Sequence, residues 1–196
     1  MFFTKLILST WLHPGIHTQQ IEQWATKTNL FFILALGRSG TTFLAKLLHQ
    51  IPNTVVFHEP VQEDFKAYRE VFNNPLAANW YIHTFRKKEI YLRMRENHHV
   101  KSYGEVNSAL RRHVEALKRA FPQATFIHLV RDGRDVVCSM MSRRTMQLDD
   151  PHTRGVMPHN QTLIHEMPGW SEWGPDCQET FYQICGAEME ANGYEI

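Results

Sequence analysis

The chain has 196 residues, 43% of them hydrophobic and 21% charged, with a formal net charge of +1. That suits one α/β domain with a sizeable core, and near-neutrality excludes a global field that would draw the protein to nucleic acid or an anionic membrane, so any anion site must be local. Three cysteines (Cys138, Cys177, Cys185) form no C-x-x-C pair and leave an odd count, which points to a reducing, cytoplasmic setting.

The N-terminal run MFFTKLILSTWL is apolar, but its uninterrupted part after Lys5 is short and no A-x-A-like site follows, so it does not read as a signal peptide. No stretch approaches the roughly 18 apolar residues of a spanning helix, so stable membrane insertion is not expected. Residues 17–28 read as a short polar helix. Residues 30–36 form a continuous apolar run closed by Gly37, the pattern of a strand buried on both faces. Residues 41–50 carry Phe43, Leu44, Leu47 and Leu48 as a helical stripe. A second strand covers residues 54–57 and ends at His58-Glu59-Pro60; residues 62–72 and 75–96 are helices, the second long and basic.

Residues 100–106 are a third strand. Asn107 is placed to cap the next helix, whose Leu110, Val114, Leu117 and Phe121 repeat on one face. Residues 124–130 are a further strand, turned by Arg131-Asp132-Gly133 into a helix over 134–144. Residues 145–174, rich in Pro, Gly, Asn and His, read as a long loop, and a last helix covers 176–191. Strands alternating with helices imply a three-layer α/β/α domain around a parallel sheet with right-handed crossovers, read here as one domain over residues 1–196 with a nucleotide-binding core at 30–145.

Two segments carry chemistry. The first is Gly37-Arg38-Ser39-Gly40-Thr41-Thr42, after a buried strand and opening a helix. Backbone N–H groups at a helix N-terminus make an anion site, and glycines let the backbone close around a phosphate. Arg38 adds a fork of donors; Thr41 and Thr42 add hydroxyls. The nucleotide-triphosphatase loop G-x-x-x-x-G-K-[ST] is not matched, because Thr41 follows Gly40 where that motif has Lys. Taken alone, the segment is also compatible with a plain strand–turn–helix connection.

The second segment is Arg131-Asp132-Gly133-Arg134-Asp135-Val136-Val137-Cys138-Ser139, again after an apolar strand. Ligands of parallel sheets bind beyond the strand C-termini, so both segments face the same edge. Arg131 and Ser139 are suited to hold a second phosphate.

Together these segments resemble the sulfotransferases that use 3′-phosphoadenosine 5′-phosphosulfate (PAPS). In that family a [KR]-[ST]-G-T-T loop after the first strand holds the 5′-phosphosulfate, and an Arg ending a later strand, with a Ser eight residues on, binds the 3′-phosphate. Arg38-Ser39-Gly40-Thr41-Thr42 and the pair Arg131 and Ser139 match both. The Arg at the head of the loop is closer to the tyrosylprotein and bacterial types. In the tyrosylprotein type a Glu near the end of the second strand is thought to be the base, and Glu59 stands at the matching place. The resemblance implies a P-loop-like sulfotransferase fold and transfer of a sulfuryl group from PAPS to a hydroxyl or amine. It implies Gly37, Arg38, Ser39, Gly40, Thr41, Thr42, Arg131 and Ser139 as donor-binding residues, Glu59 and Arg38 as catalytic residues, and no required metal. Acceptors are small molecules, glycans or peptides; self-association is left open.

His58 and Glu105 are the other candidate bases. Neighbours on a strand point to opposite faces, so His58 and Glu59 do not both face one site in a regular strand. The twelve histidines, including His98, His99, His152, His159 and His165, show no H-x-x-x-H or H-E-x-x-H pattern with a carboxylate or Cys partner and read as solvated or core residues. Arg86-Lys87-Lys88 with Arg93 and Arg95 reads as a solvated helix face, secondarily as a site for an acidic acceptor. Trp170 and Trp173 read as packing residues before acceptor-stacking ones. Family members usually continue into a further strand and a Gly- and Lys-containing loop over the nucleotide; no G-x-x-G-x-x-K occurs here, so a shortened or fragmentary member is expected at the C-terminus. The alternatives are a non-catalytic nucleotide-binding module of the same fold and, behind it, a P-loop kinase.

Overall fold

Strand β1 (Asn29–Ala35) lies inside a four-stranded parallel sheet of order β2-β3-β1-β4, with β2 at Thr54–His58, β3 at Ser102–Asn107 and β4 at Thr125–Leu129. The computed structural model describes residues 23, 26–97, 99–141 and 169–195. The N-terminal run, most of the helix expected at 17–28, His98, and the part of the long loop carrying His152, His159 and His165 lie outside them. Among the described residues no helix is long and apolar enough to cross a membrane.

The unbroken apolar run of β1 has the consequence expected of a two-sided strand: Phe32, Ile33, Leu34 and Ala35 are all buried. It pairs with β3 in register, Phe31 beside Gly104 and Phe32 beside Glu105. Gly104 is required there, since a Cβ would sit 2.1 Å from the Phe31 ring. β3 also pairs with β2, His58 beside Val106. Being central, it buries Tyr103 through Asn107, two of them polar.

The chain forms two compact units. The first holds the chain up to Ala35 and Gly40–His128. Its helices are α1 (Thr41–Leu48), α2 (Glu63–Asn73), α3 (Ala77–Tyr81), α4 (Lys87–Glu96) and α5 (Val114–Ala120). The single helix expected over 75–96 is three pieces, with a π-helical segment, Ile82–Arg86, joining α3 to α4. Asn107 caps as expected: its Oδ1 accepts from the Ala109 and Leu110 amides at 2.9 and 3.2 Å. The helix it starts is a 3-10 turn, Ala109–His113, before α5. Leu110, Leu117 and Phe121 are fully buried, and Phe32 packs its ring against Phe121 and Phe126 at 5.8 and 5.4 Å. Each such side chain contributes about 1.5–3 kcal/mol of burial.

Two expectations fail in this unit. The apolar stripe of α1 does not face the core: Thr41 and Ala45 are its buried residues, while Phe43 is 72% and Leu47 49% exposed. Arg86 is not on a solvated face. It is fully buried, paired with Asp64 (2.7 Å) and Glu105.

The second unit comprises Leu36–Ser39 and the chain from Leu129 onward. It holds α6 (Gly133–Met141), a 3-10 turn at Trp170–Glu172 and α7 (Pro175–Ala191). Trp170 packs against Trp173 and Phe181, each at 5.0 Å, and against Tyr182 at 5.3 Å. Trp173 also lines an apolar cavity of about 720 Å³ with Val137, Phe181 and Ile184. Packing therefore occupies both tryptophans, as the sequence favoured. The three cysteines are free thiols.

Candidate functional site

The first segment singled out in the sequence follows β1 directly, and the chain passes through the second unit at Leu36–Ser39 before returning at Gly40. Arg38 has φ 73° and Gly40 φ 86°, both left-handed. Glycine adopts that conformation freely; an arginine does so at a cost and persists only where its surroundings fix it. The Arg38 Nε donates to Ser139 Oγ at 3.0 Å, and the Arg38 carbonyl accepts from an Arg131 terminal nitrogen at 2.8 Å. Three residues from two segments about a hundred positions apart meet within the second unit.

The repeated Arg-Asp of the second segment is resolved by pairing. Arg134 grips Asp132 with its Nε and a terminal nitrogen, at 2.6–3.1 Å, and its amide donates to Asp132 Oδ1 at 2.8 Å. The Arg134 side-chain hydrogen bonds hold the Asp132 carboxyl below the usual carboxylate range. Arg134 also lies over the Trp170 ring. It is committed to local structure. Arg131 turns to the Arg38 carbonyl and to Asp135, 3.3 Å away on an exposed surface.

In the first unit Gly40 precedes α1, whose N-terminus has no side-chain cap. Its first-turn amides have no intrahelical partner, the condition for an anion site. Thr41 is 6% exposed, and its Oγ1 lies 3.0 Å from His58 Nε2, with Thr42 Oγ1 at 3.4 Å. His58 thus faces the threonines of the loop. Glu59 follows with φ 45°, which takes it out of the strand's pleat, so alternation does not decide between the two. Its Oε1 accepts from the Ser108 amide at 3.3 Å and from the Ser108 hydroxyl.

Glu105 is removed from the candidate bases. It is fully buried, paired with Arg86, and accepts from the Tyr103 hydroxyl at 2.8 Å. It belongs to a buried ion cluster. Asp64 accepts from Tyr81 Oη at 2.7 Å and from Asn107 Nδ2 at 2.8 Å, and its pKa is raised because burial outweighs the attraction of Arg86. Burial works against the Arg86 charge, yet Asp64 and Glu105 hold its pKa well above the ordinary value.

Sequence reasoning passed over Ser108, Tyr68 and Arg111. Arg111 donates to the Ser108 carbonyl at 2.5 Å and to Tyr68 Oη, and stacks over the Tyr68 ring at 4.2 Å. Only the register of β3 against β2 would have pointed to Ser108, just past the strand end. Among the described residues no group of three His, Cys, Asp or Glu is arranged to hold a metal ion.

No curated protein matches the chain significantly. A model of the sulfotransferase family matches residues 31–191, a span that runs from β1 to the end of α7 and takes in both glycine-bearing segments. The chain belongs to the sulfotransferase family.

Proposed function

We propose that the protein transfers a sulfuryl group from PAPS to a hydroxyl or amine acceptor. The observation that carries this reading is the meeting of Arg38, Arg131 and Ser139, the residues expected to hold the two ends of such a donor. The loop amides, Thr41 and Thr42 hold the 5′-phosphate; Arg131 and Ser139 hold the 3′-phosphate. Charge grows on the leaving phosphate oxygen as its bond to sulfur breaks, and Arg38 neutralises it, as arginines do in phosphoryl transfer. Glu59 takes the acceptor's proton as the new sulfur–oxygen or sulfur–nitrogen bond forms. His58 stays with the threonines. The products are the sulfated acceptor and adenosine 3′,5′-bisphosphate. Positioning and electrostatics supply the catalysis, and this scheme uses no metal. The Arg at the head of the loop and the Glu after β2 support a place near the tyrosylprotein and bacterial types.

The test is a thermal-shift titration with adenosine 3′,5′-bisphosphate beside magnesium–ATP and magnesium–GTP. A ligand bound to the native state alone stabilises it by about 2.7 kcal/mol at 100 times its dissociation constant. A shift with the bisphosphate alone is expected. A shift with the magnesium nucleotides alone would replace this reading with a kinase.

A further inference from the structure

We infer that Ser108 is the positioning residue of the proposed base and that it selects which oxygen of Glu59 receives the proton. The inference rests on Glu59 being the base. Glu59 lies outside the strand at φ 45°, a conformation that its own backbone does not favour, so its carboxylate needs an external anchor. Ser108 supplies it twice, through its amide at 3.3 Å and through its hydroxyl, both to Oε1. With Oε1 taken, Oε2 is the oxygen left to accept the proton from the acceptor.

Ser108 is itself fixed. It is 5% exposed, and Arg111 holds its carbonyl at 2.5 Å. The preceding residue, Asn107, is fully buried; its Nδ2 donates to Asp64 at 2.8 Å, and Asp64 is paired with Arg86. A buried ion pair thus reaches Glu59 through Asn107 and Ser108. A carboxylate on a flexible side chain samples several rotamers, and misplacement by about 1 Å can cost up to about a hundredfold in rate.

The experiment is a double-mutant cycle on the whole chain, comparing the parent, Ser108→Ala, Glu59→Gln and the double variant. Sulfuryl transfer from labelled PAPS is followed to water and to a panel of phenolic and sugar hydroxyls, with the dissociation constant for adenosine 3′,5′-bisphosphate measured on each protein. Ser108→Ala is expected to lower kcat by about tenfold in the parent, to leave bisphosphate affinity unchanged, and to have no further effect when Gln replaces Glu59. An equal loss in both backgrounds would make Ser108 merely structural and overturn the inference. So would parental kcat in Ser108→Ala beside an inactive Glu59→Gln, an outcome that leaves Glu59 as the base. Parental kcat in Glu59→Gln, or a parent that binds the bisphosphate but transfers to nothing, would remove the base and this inference with it.

Discussion

The two units hold their candidate residues in opposite ways. In the first, Glu59 is anchored by Ser108, and behind Ser108 stand Asn107, Asp64, Arg86 and Glu105, the last four fully buried. In the second, Arg38 bonds to both Ser139 and Arg131, and the Arg131 side chain, which also pairs with Asp135, is 38% exposed. A base must sit in one place before the acceptor arrives, which favours an anchor that water does not compete for. Arginines that receive a polyanion gain from staying hydrated and able to exchange a protein acceptor for a phosphate oxygen. The contrast separates a carboxylate anchored against a buried ion cluster from a guanidinium pair that includes an exposed side chain.

Breaking the buried side should cost most. Arg86→Leu leaves two carboxylates buried against a neutral side chain and is expected to lower unfolding stability by about 3–5 kcal/mol in urea titrations. If it costs less than about 1 kcal/mol, the ion cluster is not what fixes this region. The next effect comes from His113, fully buried in the first unit beside the Tyr81 ring at 5.5 Å. Burial, opposed by the Ala109 carbonyl and helped by the Arg86 charge, lowers its pKa to about 4. The unfolded chain then binds more protons at this position than the folded one, so stability contributed by neutral His113 is intact above about pH 6.5 and is lost as pH falls towards about 4. The expected slope is about 1 kcal/mol per pH unit within that window. Denaturant titrations across it should show that slope, and His113→Met should remove it.

On the ligand side, Arg131→Ala should leave thermal stability within about 0.5 kcal/mol of the parent while weakening adenosine 3′,5′-bisphosphate binding about tenfold by calorimetry. A stability loss without a binding loss would reverse the assignment of the two regions. The smallest effect is expected for Asp135→Asn, which removes an exposed partner of Arg131: less than about 0.5 kcal/mol in stability.

The sequence made the strands legible because β1 is an unbroken apolar run and β4 a mostly apolar one, interrupted by Thr125 and His128, before Arg131. The two glycine-bearing segments were legible because their residues and order together resemble those of a known family, which neither segment shows by itself. Burial on helices was harder to read. The stripe of Phe43 and Leu47 looks like a core face, but α1 buries its small residues instead. Arg86 sits among lysines and reads as solvated, and only the fold brings Asp64 and Glu105 to it. Ser108 gave no signal, because a serine after a strand is common and its meaning depends on a carboxylate 49 positions earlier.

The π-helical segment Ile82–Arg86 has an evolutionary consequence. His83 and Thr84 within it are exposed, so surface position alone would allow a residue to be lost there. A π-helical turn carries about one residue more than the α-helical turn it replaces, so losing one residue here closes the segment into α-helix and leaves Arg86 and α4 facing as before. Substitutions and a single-residue deletion should both be tolerated at positions 83 and 84, which makes this stretch the place where the helix can change length by one residue.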